Sequence, residues 1–512
     1  MPQLKIIAIA SIMACLTWAT PVDAQSYART GDSNFDGSIN LADIVSVLYN
    51  VFAAPAPPCL PADDMNGDSE ADVADAVFLI DFMFAGGPDL ACPFGHYGRR
   101  NPTPPPCPGP SPCHPTEILH SGPIDGFEVW GPGVTHVLVG LVTLEAGATV
   151  QVLPGTTVLA EFESGLVVKP GAELFAIGTE GQPVVFASKQ PCPKRGDWFG
   201  LYMIGEAPTN SFDPFVPGLQ IGYGGIDAFD SSGVLDHVRI EYAGMNFGAQ
   251  PAGLNLYGVG SSTTIQNVLV KNCQSDGIHV VGGTVPMRHV IVENMVENSV
   301  VFDAGYQGDV QYLLARGSEE SNQHGIVSRN NVQSPNASPR TRPVIANFSL
   351  AGGSSGLGTG LLLEHGTAGI FVNGLVEKFQ VGVDIDHFAT TEHGELWMDS
   401  VTFGDNLLNW EVQDNEDQFL FTSEEFFFLI GGVGGSTENI DLFGATMQDV
   451  LGFDSFDPCM PSRPNFFTEN PGLGALYPVE LLGEFFENPA FRGGEAFEGP
   501  GFSENVWVDF NF

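Results

Sequence analysis

The 512-residue sequence predicts a mainly β protein. Its body reads as a right-handed parallel β-helix, preceded by a small α-helical module built on EF-hand-type loops. Three observations carry this reading. Short β-rich runs recur with a period of about 22 residues, within the range of solenoid repeats. An acid-rich loop with a following helix occurs twice, and a proline-rich stretch separates the two regions. The period is clearest where Val268, Leu269 and Val270 align with Val290, Ile291 and Val292, and then with Tyr312, Leu313 and Leu314. The same offset takes Ile278 to Val300 and Asn272 to Asn294. Short strands repeating without helical periodicity suit a solenoid with one coil per repeat, because stacked coils bury a core that no single coil could bury. Leucine-rich repeats would need a Leu-x-x-Leu-x-Leu frame, and propeller blades would be longer. The right hand follows from the rule for parallel crossovers.

Composition narrows the function classes. Acidic residues number 61 against 18 basic, a net charge of −43. That leaves too few cations for a nucleic-acid or anionic-membrane surface, and favours cation binding. Residues 1–24 read as an export signal: Lys5 gives the positive start, residues 6–14 the apolar run, and Val22, Asp23 and Ala24 a small-residue cleavage site. Lipidation at Cys15 is the alternative, opposed by the bulk of Met13. No later apolar run approaches the ~18 residues of a spanning helix. The expectation is an exported protein, extracellular or on the cell surface. Seven of the eight cysteines follow the signal, an odd number, and proximity pairs Cys59 with Cys92 and Cys107 with Cys113. No CxxC spacing offers a zinc site.

Residues 32–43 read DSNFDGSINLAD. Asp32, Asn34, Asp36, Asn40 and Asp43 stand at loop positions 1, 3, 5, 9 and 12, Gly37 sits at the sharp turn, and Ser38 offers its carbonyl at position 7. Calcium takes six to eight hard oxygens, and this spacing wraps them around one ion. The pattern returns in a second loop, residues 64–75, with Asp64, Asn66, Asp68, Glu70, Asp72 and Asp75. Each loop leads into a helix, residues 41–53 and 73–85. Leu41, Ile44, Val45, Leu48, Val51 and Phe52 form one apolar stripe, and Val73, Val77, Ile80, Met83 and Phe84 the other. Solvated acidic turns capping two helices would explain one loop; two in register point to calcium. Residues 29–93 resemble a type I dockerin, in which each repeat carries Asp at position 12, as Asp43 and Asp75 do. Ser69 and Ala71 depart from that pattern, which weakens the second loop. Leu41 with Ala42, and Val73 with Ala74, replace the hydroxyl pairs that meet cohesin, so tight cohesin binding is not expected.

Residues 94–117 form the linker; its run RRNPTPPPCPGPSPCHP is a semi-rigid polyproline spacer. Residues 118–450 are assigned to the β-helix and 451–512 to a region that caps or extends it. The runs GDWFGLYMIGEAPTN (196–210), SSGVLDHVRIEYAG (231–244), residues 253–285, GYQGDVQYLL (305–314), RTRPVIANFSLAG (340–352) and the tail 491–512 resemble a family of exported bacterial β-helix proteins. That resemblance implies fold and location, and no reaction.

Lyases and hydrolases are common on this fold, so the acids must be weighed individually. Asp276, Glu293, Asp303 and Asp309, with Arg288 or Arg316, are candidates for a lyase-type acid cluster and base. They are read as solvated turn residues. A glycosidase pair needs two carboxylates about 5–9.5 Å apart, which so many acids will supply by chance. His237, His279 and His289, and His387 with His393, are read as surface histidines. Trp198, Tyr202, Tyr223 and Tyr242 are read as filling or capping the coil, with sugar stacking as the alternative. The expected function is structural, adhesive or glycan-interacting without catalysis, with a polysaccharide or cell-surface partner. The alternative is a polysaccharide lyase or glycoside hydrolase carrying a dockerin-like attachment module. Excess chelator should abolish the helical circular-dichroism signal of residues 29–93 while the β signal persists, because the clustered carboxylates repel without their ion.

Overall fold

The computed structural model describes residues 117–410 apart from 247–250, 319–323, 354–355, 388, 391–394 and 405, together with 476–489, 493–494 and Ala76, Val77 and Leu79. The export signal, all twelve loop ligands (Asp32, Asn34, Asp36, Ser38, Asn40, Asp43, Asp64, Asn66, Asp68, Glu70, Asp72 and Asp75), the two cysteine pairs and the proline linker lie outside the described residues. Ala76, Val77 and Leu79 are helical. Ala76 and Leu79 are buried while Val77 is 59% exposed, so Val77 does not belong to the buried stripe. The chain divides into two compact units, residues 1–118 with 131–135, and residues 119–130 with 136–512. The solenoid is the second. No described helix is long and apolar enough to cross a membrane.

Among the described residues, 24 strands join one sheet that winds as a parallel β-helix. From residue 233 onward the strands form two stacks. One runs Gly233–Glu241, Thr264–Lys271, Met287–Glu293, Asp309–Arg316, Val344–Ala351 and Gly369–Glu377, each parallel to the next. The other runs Ala252–Tyr257, Asp276–Val281, Val300–Asp303, Ile326–Arg329, Thr359–Glu364 and Val381–Ile385. Side chains alternate across each strand. Leu254, Leu256, Ile278, Val280, Val300 and Phe302 point into one continuous apolar core with Val268, Val270, Val290 and Val292 of the first stack.

The expected alignments hold for Val268 with Val290 and for Ile278 with Val300. The third does not: Val290 pairs with Leu313, the residue after the expected Tyr312. Tyr312 occupies a bend. At one corner of successive coils His237, Asn267, His289, Tyr312, Asn347, Asn373 and Ser400 all have φ between +51° and +60°. Their neighbours on both sides stay in register, so each strand of the first stack turns at this point without losing its partner. The left-handed conformation is unfavourable for most L residues and easiest for Asn among those with side chains, which explains the asparagines here. Asn272 and Asn294 repeat the device at the end of their strands, φ +56° and +65°, and their side-chain amides bond to one another.

Residues 476–489 and 493–494 lie across the outer face of the first stack. Asn373 donates to the Tyr477 carbonyl and accepts from its N–H, at 3.0 and 2.8 Å. Gln311 does the same for Glu487, at 2.7 and 2.9 Å. Two side-chain amides thus take the place of strand backbone, while Val479 and Phe486 pack on Ala346 and Val372.

Inside the core, Phe348 lies over Gly374 of the next coil, its register partner. A Cβ added at Gly374 would meet the Phe348 ring at 2.1 Å. Gly374→Ala should therefore cost roughly 1–3 kcal/mol by overpacking. Thermal unfolding should show a lowered midpoint that Phe348→Leu partly restores in the double variant; strictly additive losses would contradict this packing.

Candidate functional site

The outer face of the second stack carries the polar row that most resembles a site. Register places Val281, Asp303 and Arg329 one above another, followed by Glu364. All of them alternate with core residues and so face outward. At the lower coils this face is covered: Tyr202, Ile204, Tyr257, Val281 and Ala304 pack with Val216 and Tyr223 of the segment between Leu201–Ile204 and Gly233–Glu241. That segment is clasped to the 330–341 loop, because Asn210 donates to Asn330 Oδ1 at 2.6 Å and to the Pro339 carbonyl at 2.8 Å. The face opens past this wall. Asp303 and Arg329 are each 18% exposed at the side chain and Glu364 14%.

Arg329 Nε donates to Asp303 Oδ2 at 2.8 Å, and its Nη1 stands 4.0 Å from Glu364 Oε1. Burial alone would raise the Asp303 pKa, but His279 and Arg329 outweigh it and hold Asp303 below the usual carboxylate range. Burial opposes the charge on Arg329, yet Asp303 and Glu364 raise its pKa, so the guanidinium stays protonated. His279 Nε2 stands 3.9 Å from Asp303 Oδ2, too far for a hydrogen bond, and neither ring nitrogen has a hydrogen-bond partner. Its ring lies 6.2 Å from that of Tyr257, which in turn meets Tyr223 edge-on at 5.1 Å. Asp276 is fully buried; Oδ1 accepts from the N–H and amide of Asn298, both at 2.9 Å, while Oδ2 accepts nothing. Burial raises its pKa.

Glu364 closes its strand and is followed by His365; Asp386 and His387 repeat the arrangement one period on, at the next coil. The two imidazole centroids lie 3.7 Å apart. Burial lowers the His365 pKa, Glu364 opposes this, and His387 and Arg329 add to it.

The acids read from sequence as solvated turn residues are not that. Asp276 and Glu293 are 0% exposed. Glu293 belongs to the other stack, where Glu241, Lys271, Glu293 and Arg316 alternate in sign along one register position. Glu241 accepts from Arg239 at 3.0 Å and Glu293 from Arg316 at 3.3 Å. Arg288 pairs with Glu487 and lies over the Phe485 ring. Asp309 is half-buried, and burial raises its pKa. Of the histidines read as surface residues, His279 is buried, His289 stacks on Tyr312 at 4.7 Å with its pKa lowered to about 4 by burial, His237 and His387 are partly exposed, and His393 lies outside the described residues. Trp198 fills the core as expected, donating to the Glu241 carbonyl at 2.8 Å. Tyr202 and Tyr223 instead belong to the separate outer cluster. Cys273 is a free, buried thiol whose pKa burial pushes up to about 12, so it is no nucleophile. Arg329, Glu364 and His365 are not singled out by the sequence pattern, although the separation of His365 from His387 equals the repeat period.

The architecture and this outward row define a parallel β-helix with a polar site on one flank. Residues 126–435 match the family described as a pectate-lyase-like β-helix domain, and the chain belongs to that family. No curated protein matches. Among solved structures, the crystal structure of Dettilon tailspike protein aligns at 12% identity, covering 76% of this chain and 71% of that one, with a TM-score of 0.19. So low a score supports no argument.

The raised pKa of Asp276 has a direct consequence for stability. A folded-state pKa above the unfolded value means that the stabilising contribution is present at low pH and is lost as pH rises through the folded pKa. Asp276→Asn keeps the acceptor used by Asn298 and removes the buried charge. It should stabilise the fold at pH 7 by on the order of 1 kcal/mol, seen as a raised thermal midpoint, with the gain shrinking as pH falls toward 4; an equal gain at both pH values would refute the assignment.

Proposed function

We propose that this chain is an exported glycan-interacting β-helix protein whose sugar-binding surface is the outer row of Asp303, Arg329 and Glu364. The observation that carries the reading is that row: in-register carboxylate, guanidinium and carboxylate groups on a partly exposed flank, beyond the segment that covers the earlier coils. Paired planar charged groups suit the hydroxyl-rich edges of sugar rings. Membership of the pectate-lyase-like β-helix family supports a polysaccharide ligand. The net charge of −43 favours a neutral polymer over an acidic one. Binding without a lyase-type arginine base is the better reading, because Arg329 is held protonated by Asp303 and Glu364. The calcium-binding dockerin-like module at residues 29–93 belongs to the same proposal, as an ordered attachment unit ahead of the proline spacer.

A second reading has one observation behind it. Asp276 and Asp303 both interact electrostatically with His279, and their pKa values move in opposite directions. Two carboxylates pushed apart in this way are how an acid and a base are assigned in hydrolases.

Depletion assays against panels of neutral and acidic polysaccharides, with products scored for new reducing ends and for unsaturated sugars, separate the readings. The expected outcome is retention on a neutral polysaccharide without new ends, weakened about tenfold (~1.4 kcal/mol) by Arg329→Gln. Cleavage that Asp276→Asn or Asp303→Asn abolishes in a folded protein would establish the enzyme instead.

A further inference from the structure

The corner that follows the second stack of strands holds an arrangement that glycan binding does not require. Residues 258, 282 and 304 occupy it in earlier coils as Gly, Gly and Ala, with φ of +61°, +64° and +49°. His365 and His387 occupy it in the later coils, with φ of +50° and +67°. Left-handed backbone costs a non-glycine residue on the order of 1–2 kcal/mol, and a small residue already serves this turn three times. Two imidazoles are placed there in succession where small residues serve the earlier coils.

Their surroundings supply a ligand set. One ligand atom from each of Glu364, His365 and His387 lies within 4.8 Å of the others. His365 Nδ1 is buried and makes no hydrogen bond, although it stands 3.2 Å from Glu364 Oε2. Glu364 divides its two oxygens: Oε1 faces Arg329 at 4.0 Å, and Oε2 faces the imidazoles. The His365 N–H approaches His387 Nδ1 at 3.4 Å and ties the two corners together. Asp386 Oδ1 accepts the His387 backbone N–H at 3.1 Å, which helps to fix the second corner. Parallel register makes the arrangement, since Leu363 pairs with Ile385 and the dipeptides Glu364-His365 and Asp386-His387 extend that pairing.

We propose that Glu364, His365 and His387 form a site for a divalent transition-metal ion of the zinc class. Two imidazoles and one carboxylate suit zinc, cobalt or nickel, whereas calcium takes oxygen donors. Three protein ligands leave a fourth position for water or a ligand oxygen, as in open zinc sites. This flank lies beside Arg329, so a sugar hydroxyl could occupy that position.

The test uses the full chain in buffer with excess calcium, which saturates oxygen-donor loops and leaves nitrogen sites free. Zinc titration by calorimetry should show one ion per chain, and cobalt should give a visible absorption band of nitrogen-ligated, low-coordinate metal. His365→Ala and His387→Ala should each weaken binding at least tenfold. Glu364→Gln, which preserves size and packing, should do the same, with circular dichroism confirming the fold of every variant. Failure of the wild-type chain to take up zinc or cobalt overturns the proposal. So does stoichiometric binding that survives in the folded His365→Ala, His387→Ala double variant, which would place the ion on other histidines. Neither result depends on whether a polysaccharide binds.

Discussion

The rest of the structure depends on parallel register. Each strand hydrogen-bonds to the equivalent strand of the coils before and after it, so whatever a residue does is done directly over a residue of similar duty. The left-handed corner shows the constraint at its strictest. His237, Asn267, His289, Tyr312, Asn347, Asn373 and Ser400 share little chemistry, yet all adopt φ above +50° because the strand below bends there. A coil that failed to bend would lose its partner on one side of the corner. Register also decides what side-chain volume is allowed: Phe348 keeps its place only because its partner one coil on is Gly374.

Charge obeys the same rule, and burial separates its two uses. Glu241, Lys271 and Glu293 are nearly inaccessible and are followed by Arg316, so alternating signs meet at neighbouring rungs and neutralise one another beneath the surface. Removing one member of such a ladder leaves an uncompensated buried charge, which makes it a structural element with little to offer a ligand. Asp303, Arg329 and Glu364 repeat the alternation on the other stack at 14–18% side-chain exposure, where the same groups are held rigid and still reach solvent. The contrast lies in the covering segments. The 205–230 region seals the outer face as far as Ala304 and stops, and its clasp to residues 330–341 through Asn210 fixes where the opening begins. In solenoids, function tends to collect at such loop-bounded stretches of an otherwise repetitive surface.

The repeat is legible in the sequence because it rests on local identities that recur at fixed spacing, as Val268 and Val290 do. It slips at Tyr312 because an extra residue before the bend shifts the apolar run without changing its appearance; only the pairing of Val290 with Leu313 reveals the shift. The acids mislead for a different reason. Glu293 looks like any acidic residue ending a strand, and its burial follows from Lys271 below and Arg316 above, partners a full coil away in either direction. Arg329 is hidden because its coil departs from the period. The chain from Asp303 to Arg329 is longer than the basic repeat, and the chain from Arg329 to Glu364 is longer still. Insertions that lengthen a coil erase the spacing signal where they build walls around a site.

His365 and His387 stand as the converse case, and they show what a one-dimensional reading can recover. Their separation is the basic period, each follows an acidic residue, and each stands just past the end of a strand. In a protein whose coils stack in register, two histidines one period apart are neighbours in space almost by construction, and the acid preceding each is carried into place with it. Nearness along the chain suggests His393, which lies outside the described residues, as the partner of His387; stacking in register brings His365 to it. In a solenoid the informative neighbour of a residue is the one a full turn away, so residue types that can share an ion or a proton are best sought at that distance. Here that search leads to a pair of imidazoles at this corner, beside a carboxylate whose second oxygen already faces an arginine.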